Sequence, residues 1–232
     1  MENEKPLGAR VGESVFCVCY LVFALVAGIC FARAAGDAVM GTFATTCAAM
    51  TFLLGCGDAF HLVPRVVINI QGEARGDEER RHRNLWLGVG NLVSSITMTL
   101  FYLLLFRAMA ALGHSASLAS PAGANGVYAV LCLLAVVRVV LCLMPANHWF
   151  DGRGSGAWGL YRNIPFVAMG AITAFYLVAW YGEWLLALLV CASFACYMAV
   201  VTLAHKKPAM GMLMIPKTLC YIALIALLLA RL

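Results

Sequence analysis

The sequence predicts an all-α fold, a polytopic bundle of about seven transmembrane helices that forms one integral membrane domain over residues 1–232. Composition is the first reason: 63% of the residues are hydrophobic, 12% are charged and the mean hydropathy is +0.89, beyond the usual values for a soluble domain. The second reason is the length of the apolar runs, which approach the roughly 20 residues that a helix needs to cross hydrocarbon. Helices satisfy their own backbone hydrogen bonds in lipid, so these runs are interpreted as spans.

Seven apolar runs define the predicted spans, in chain order: 15–32, 39–63, 85–106, 126–144, 164–181, 184–204 and 210–230. The segment between the second and third spans, 65–84, is too charged to enter hydrocarbon and is predicted to be a cytoplasmic loop. The first run is followed by Ala32, Arg33 and Ala34, a pattern that also occurs after a signal peptide. Acidic residues before this run, such as Glu2 and Glu13, favour an ordinary first helix.

The distribution of lysine and arginine predicts the orientation, because cytoplasmic segments carry the excess of both. An internal amino terminus places most cations inside: Lys5, Arg10, Arg65, Arg75, Arg80, Arg81, Arg83, Arg153, Arg162, Lys206 and Lys207. The predicted outer segments hold Arg33, Arg107 and Arg231. This asymmetry favours seven spans with the carboxyl terminus outside. The small size and short loops are typical of a protein of the bacterial cytoplasmic membrane.

Composition also argues against several classes of site. The 10 cysteines include no CxxC pair and lie almost entirely within the predicted spans, where cysteine packs as a small apolar side chain. Neither a metal site nor a cofactor is expected. The formal charge of +5 is explained by cytoplasmic segments that face anionic lipid headgroups. Aromatic and basic residues do not alternate, so nucleic acid is not an expected partner.

Charged side chains within the predicted spans indicate a site, because a charge at mid-bilayer costs at least about 2.5 kcal/mol. These residues are Asp58, Arg138 and Lys217. At 1.5 Å per residue, the alternating topology places all three roughly 10 Å from the cytoplasmic ends of their spans. Uncharged polar residues share this depth: Asn91, Ser94, Ser95 and Tyr197. His61 follows Asp58 on the same helix face. We therefore expect one polar pocket near the cytoplasmic leaflet.

The residue types indicate roles within this pocket. Asp58 and His61 are the predicted catalytic pair, because a carboxylate can orient an imidazole for acid and base chemistry. Arg138 and Lys217 would hold an anionic group of the substrate, and the four uncharged polar residues would complete its binding site. In a structural alternative, both cations reach toward the headgroups and Asp58 neutralises one of them. Pro216 favours the pocket, because it is predicted to interrupt the seventh span and broken helices border cavities.

The string GCGDAFHLVPR at Gly55 to Arg65 resembles the first Gly-Asp motif of the lysoplasmalogenase-like family of multi-span membrane proteins. That family includes hydrolases of the vinyl ether bond of lysoplasmalogens. The resemblance implies that Asp58 is a catalytic carboxylate and that the substrate is a lysophospholipid. Family members carry a second intramembrane carboxylate late in the chain, whereas the sixth span here has Ser193 and no acid. The strings YRNIPF and MLMIPK resemble motifs of a bacterial membrane protein family and indicate no particular chemistry.

Three functions stay open at this point. The first is a protein that binds or modifies a membrane lipid, with Asp58 and His61 acting on a ligand held by Arg138 and Lys217. The second is a transporter of a small anionic solute, and the third is a non-catalytic membrane component. A lone carboxylate disfavours hydrolysis by two carboxylates, and a pocket near the inner leaflet disfavours a midplane carrier site. The lipid function is the leading prediction.

Overall fold

The computed structural model describes residues 7–72, 74, 76–115, 123–150, 156–203 and 208–232. Within these ranges the chain is helical, and seven helical segments are long and apolar enough to cross a membrane. The helices are α1 (Leu7–Ala34), α2 (Gly41–Gln71), α3 (Asp77–Ser115), α4 (Ala124–Leu143), short α5 (Gly156–Tyr161), α6 (Ile164–Tyr181), α7 (Trp184–Leu203) and α8 (Met214–Leu229). The predicted multi-pass helical fold is confirmed.

The largest difference from the sequence prediction lies between the second and third spans. The predicted loop over 65–84 is mostly helical, because α2 continues through Pro64 to Gln71 and α3 begins at Asp77. High charge excludes a segment from hydrocarbon but does not prevent it from forming a helix. Acidic residues in the first turn of α3 favour the helix there by complementing its dipole. At the tip, Arg83 Nη1 donates a hydrogen bond of 2.5 Å to the carbonyl of Gly72.

A second difference concerns Pro216, which the sequence predicts to interrupt the seventh span. The structure places Pro216 in the first turn of α8, where the missing N–H would have had no partner within the helix. The irregular part of this span precedes the proline and is a 3₁₀ helix, Pro208–Leu213. The interruption therefore lies at the end of the span.

The seven long helices form a closed ring. Helix α1 contacts α2, α2 contacts α3, and α3 contacts α4. Helix α4 then contacts α6, and the ring continues through α7 and α8 back to α1. Helix α3 also contacts α6 across the interior. One end of the ring therefore gathers the α2–α3 tip, a 3₁₀ turn at Pro145–Asn147 after α4, the short α5 and the 3₁₀ helix before α8. This end is called the basic end below, because it is the one to which the sequence assigns most cations.

An aromatic layer fills the ring beneath this end. Tyr102 lies at its centre, with ring centroids 5.4 Å from Phe166 and 5.1 Å from Phe194. The Tyr102 and Tyr221 hydroxyls are 3.2 Å apart, and Phe101 stands edge-on to Tyr221. Apolar residues continue the packed core beyond this layer, toward the other end of the bundle.

Glycine allows α2 and α3 to approach each other closely at the site. A Cβ atom on Gly90 would lie 2.3 Å from the carbonyl oxygen of Phe60 and 2.7 Å from Cα of His61. Real Cβ atoms do not approach backbone so closely, so only glycine permits this spacing. The contact sets the position of α2, and with it that of His61, relative to α3.

Candidate functional site

A cavity of about 440 Å³ lies inside the ring at the basic end, a size typical of small-molecule sites. Every residue that the sequence assigns to the pocket lines this cavity: Asp58, His61, Asn91, Ser94, Ser95, Arg138, Tyr197 and Lys217. They come from five helices, α2, α3, α4, α7 and α8. The structure thus brings these side chains together, while their chemical roles stay predictions.

The Asp58 carboxylate joins three helices. Its Oδ2 accepts a 2.7 Å hydrogen bond from the Tyr20 hydroxyl of α1, and its Oδ1 accepts a 2.9 Å hydrogen bond from Ser94 Oγ of α3. A carboxylate has about four acceptor positions, so two remain for a ligand or water. The side chain is half-buried at the cavity wall. Both donors fix the orientation of Asp58 before any ligand binds.

His61 does not form the predicted pair with Asp58. Both carboxylate oxygens of Asp58 are held by hydroxyl groups, and Nδ1 of His61 is buried with no hydrogen-bond partner among the described residues. Sequence spacing places the two side chains on one face of α2 but does not fix their rotamers. The imidazole therefore lines the cavity with an unused ring nitrogen.

Arg138 is the most unusual residue of the site. Its side chain is 1% exposed, and the guanidinium carbon lies 3.2 Å from the centroid of the Phe166 ring. Two of its nitrogens, Nε and Nη1, are buried without a hydrogen-bond partner in the described chain. The predicted alternative in which Arg138 reaches out to the headgroups is therefore wrong. The guanidinium is held within the bundle by an aromatic face and keeps unused N–H donors.

Lys217 lines the same cavity as Arg138. Its ammonium nitrogen lies 4.7 Å from the Tyr197 ring centroid and 5.6 Å from that of Tyr221. Tyr197 is fixed in turn, because its hydroxyl donates a 2.9 Å hydrogen bond to Asn163 Oδ1. Neither Lys217 nor Arg138 forms an ion pair with a carboxylate of the described residues. Asp58 therefore does not neutralise either of them through a direct salt bridge among the described residues.

The sequence interpretation misses part of the cavity wall. The aromatic residues of the segment 147–150, just after the fourth predicted span, favour an interfacial anchor over a site, but Asn147, His148 and Trp149 line the cavity. The amide of Asn147 donates to carbonyls at the end of α4, including that of Leu141 at 2.7 Å. Its Oδ1 accepts a 2.7 Å hydrogen bond from Nη1 of Arg162, whose guanidinium carbon lies 4.1 Å from the Trp149 ring centroid.

The sequence pattern does not predict that Arg162 is buried, because this residue lies in a predicted loop between two spans. A clue is the adjacency of Arg162 and Asn163 just before a proline-initiated helix, since both are strong hydrogen-bonding groups close to a span. In the structure both are buried. Tyr20 is absent from the predicted site for another reason. A tyrosine in an apolar run cannot be told from an ordinary core aromatic residue by sequence alone, and only the structure shows that its hydroxyl donates a hydrogen bond to Asp58.

Unused hydrogen-bond capacity defines what the cavity can hold. Arg138 offers N–H groups at Nε and Nη1, and the Lys217 ammonium contacts aromatic faces. The Ser95 hydroxyl, by contrast, already donates to the Asn91 carbonyl at 2.7 Å. Donors therefore exceed acceptors among the groups still available, and a charge-assisted hydrogen bond to an anion is the strongest contact they can make.

Groups of three or more histidine, cysteine or acidic residues with metal-ligand geometry do not occur in the described ranges.

Comparisons of this chain with protein-family models, curated proteins and solved structures find no match.

Proposed function

We propose that this integral membrane protein binds an anionic membrane lipid in the cavity at the basic end, with the phosphate of the headgroup held by Arg138 and Lys217. The observation that carries this proposal is the guanidinium of Arg138, which is buried, stacked on Phe166 and without an ion-pair partner in the described chain. A buried charge without a counterion costs several kcal/mol. A bound anion would remove that cost.

The aromatic layer favours a lipid-binding protein over a transporter. Phe166 and Tyr221 line the cavity, and Tyr102, which contacts both, is fully buried beneath them. A solute could not pass this layer unless several packed rings moved apart. A ligand that enters at the basic end therefore leaves at the same end, which suits a lipid from the adjacent leaflet.

Hydrolysis of the bound lipid is the chemical extension of this proposal. Asp58 and His61 line the same cavity as the two cations, and both have unused positions for water. In the reaction implied by the lysoplasmalogenase-like resemblance, water would add across the vinyl ether, and the resulting hemiacetal would collapse to a fatty aldehyde and a glycerophosphodiester that carries no hydrocarbon chain. Incubation of the purified protein with a lysoplasmalogen tests this extension, since aldehyde should form with the wild type and not with Asp58→Asn.

Native mass spectrometry of the protein purified in mild detergent tests lipid binding itself. We expect the wild type to retain one anionic phospholipid and Arg138→Gln to lose it, because glutamine keeps polarity but not charge. Arg107→Gln is the matched control, since Arg107 also lies over an aromatic ring, Tyr128 at 5.3 Å, but is exposed at the other end of the bundle.

Arg138→Lys is the control for loss of lipid through misfolding. It preserves the charge, so it should retain the lipid in part. Retention by Arg138→Gln at the wild-type level would contradict the proposal. So would a wild-type protein that carries no phospholipid and takes up none from added anionic lipid. Displacement of the retained lipid by free inorganic phosphate would identify a soluble anion as the ligand instead.

A further inference from the structure

Two asparagine side chains mark the wall that α3 contributes to the cavity. Asn84 and Asn91 both line the cavity, and they lie about two helical turns, or roughly 10 Å, apart on one face of α3. Gly88 lies between them, where a Cβ atom would clash with the carbonyl oxygen of Trp149. The chain after α4 therefore packs against α3 between the two asparagines.

The side-chain amides of Asn84 and Asn91 are available to a ligand. Neither amide has a hydrogen-bond partner among the described residues, and the bond that Ser95 makes to Asn91 uses the backbone carbonyl. Two other asparagines of this end, Asn147 and Asn163, each donate to a backbone carbonyl and accept a hydrogen bond from another side chain. Asn84 and Asn91 instead keep both their N–H and their C=O groups unused.

A hydroxyl group suits a free carboxamide better than an acyl chain or an ammonium group does. The carboxamide offers N–H donors beside a carbonyl acceptor, and each hydroxyl group both donates and accepts. An acyl chain along this wall would leave both amides without partners, which costs free energy where water is excluded. An ammonium group could donate to the two carbonyl oxygens but could accept nothing from the N–H groups.

The cations of the cavity also disfavour an ammonium group. Four of them line it: Arg65, Arg138, Arg162 and Lys217. Arg65 is paired with Glu13 at 3.7 Å, and Asp58 is the only acidic residue of the described chain that lines the cavity. Positive charges therefore remain in excess with both carboxylates counted. An ammonium group on the ligand would be repelled by this excess, whereas a polyol carries no charge.

We propose that the cavity recognises a phosphate that carries a hydroxylated group, such as glycerol or inositol, and that Asn84 and Asn91 bind the hydroxyls of this group. This inference rests on the proposed function and adds to it the class of headgroup and two specificity residues. The polyol phosphate could belong to a lipid headgroup or to a free molecule, because the same side chains would contact it in both.

A competition between two lipids that differ only in hydroxyl groups tests this recognition. The full-length protein is placed in phosphatidylcholine nanodiscs with equal small amounts of phosphatidylglycerol and phosphatidylpropanol, diesters of equal charge with identical acyl chains. Bound lipid is counted by native mass spectrometry. We expect the wild type to prefer phosphatidylglycerol about tenfold, the effect of one or two neutral hydrogen bonds. Asn84→Leu and Asn91→Leu together should bring the ratio close to one.

The same samples control for misfolding, because the double variant keeps every cation of the cavity and should bind phosphatidylpropanol as the wild type does. Asn91→Ser keeps a hydrogen-bonding group and should keep part of the preference. Asn125→Leu is the matched control, since Asn125 lies exposed in the first turn of α4, at the end of the bundle away from the cavity. It should leave the preference unchanged.

A wild type that binds both lipids equally would overturn the recognition of hydroxyls while lipid binding stands. An unchanged preference in the double variant would overturn the role of the two asparagines. Binding of neither lipid by the wild type would overturn the inference and the proposed function together.

An added arm with soluble glycerophosphoglycerol distinguishes the two sources of the polyol phosphate. Displacement of phosphatidylglycerol at comparable concentration would support recognition of a free polyol phosphate. No displacement would support recognition of a lipid headgroup.

Discussion

At the scale of single residues, Arg138 shows how a span tolerates a buried cation. The ring of Phe166 covers one face of the guanidinium at 3.2 Å from the centroid, and such a contact contributes about 2 kcal/mol when water is excluded. That contribution cannot offset the whole cost of burial, so the aromatic face is better understood as a device that fixes the direction of the N–H groups. Phe166 therefore contributes more to the orientation of the Arg138 guanidinium than to the stability of the fold.

The substitution Phe166→Leu tests this role. We expect roughly fivefold weaker retention of anionic lipid, the equivalent of about 1 kcal/mol, because leucine keeps apolar contact but cannot attract the guanidinium through a π face. Titration of phosphatidylglycerol followed by native mass spectrometry measures the change. Phe175→Leu, on the exposed side of the same helix, is the control and should bind like the wild type. Equal affinity in both variants would contradict the role given to the ring.

At the scale of elements, the contact between α2 and α3 positions the residues of the site. Gly90→Ala should lower the free energy of unfolding by about 1–3 kcal/mol, the usual cost of overpacking, because the new methyl group would meet the backbone of Phe60 and His61. Unfolding in mixed micelles monitored by circular dichroism measures the loss. Gly12→Ala in α1 has open space around it and should be neutral or mildly stabilising. Comparable stability of the two variants would contradict the tight contact.

Helix existence could be predicted from the sequence, but some helix ends and the side-chain partners could not. The span 164–181 coincides with α6, because Asn163 precedes it, Pro165 lies in its first turn and Gly182 follows it, and such residues begin and end helices. The segment 65–84 is wrongly predicted to be a loop, because its high charge indicates that it lies outside the lipid but does not indicate its backbone conformation. Asp58 could be grouped with the other residues that line the cavity, yet its partner Tyr20 is 38 positions away, and sequence spacing carries no information about that pairing.

At the scale of the whole molecule, one end of the ring holds the cavity and the other is packed. The sequence assigns the cavity end to the cytoplasm through its excess of lysine and arginine, and this assignment stays a prediction. A carboxyl-terminal fusion to alkaline phosphatase should be active in a bacterial host, and a fusion to green fluorescent protein should be dark, because the carboxyl terminus is expected outside. An inactive phosphatase together with a bright fluorescent fusion would contradict this orientation.

The proposed function requires that the cavity holds a lipid phosphate against Arg138. An experimental structure of the protein in nanodiscs containing phosphatidylglycerol, with a rigid binder added for cryo-electron microscopy, tests it most directly. We expect phosphate density inside the ring, within hydrogen-bond distance of Nε or Nη1 of Arg138 and facing Lys217. Density for phosphatidylglycerol only on the outer surface of the bundle, with solvent alone beside Arg138, would contradict it.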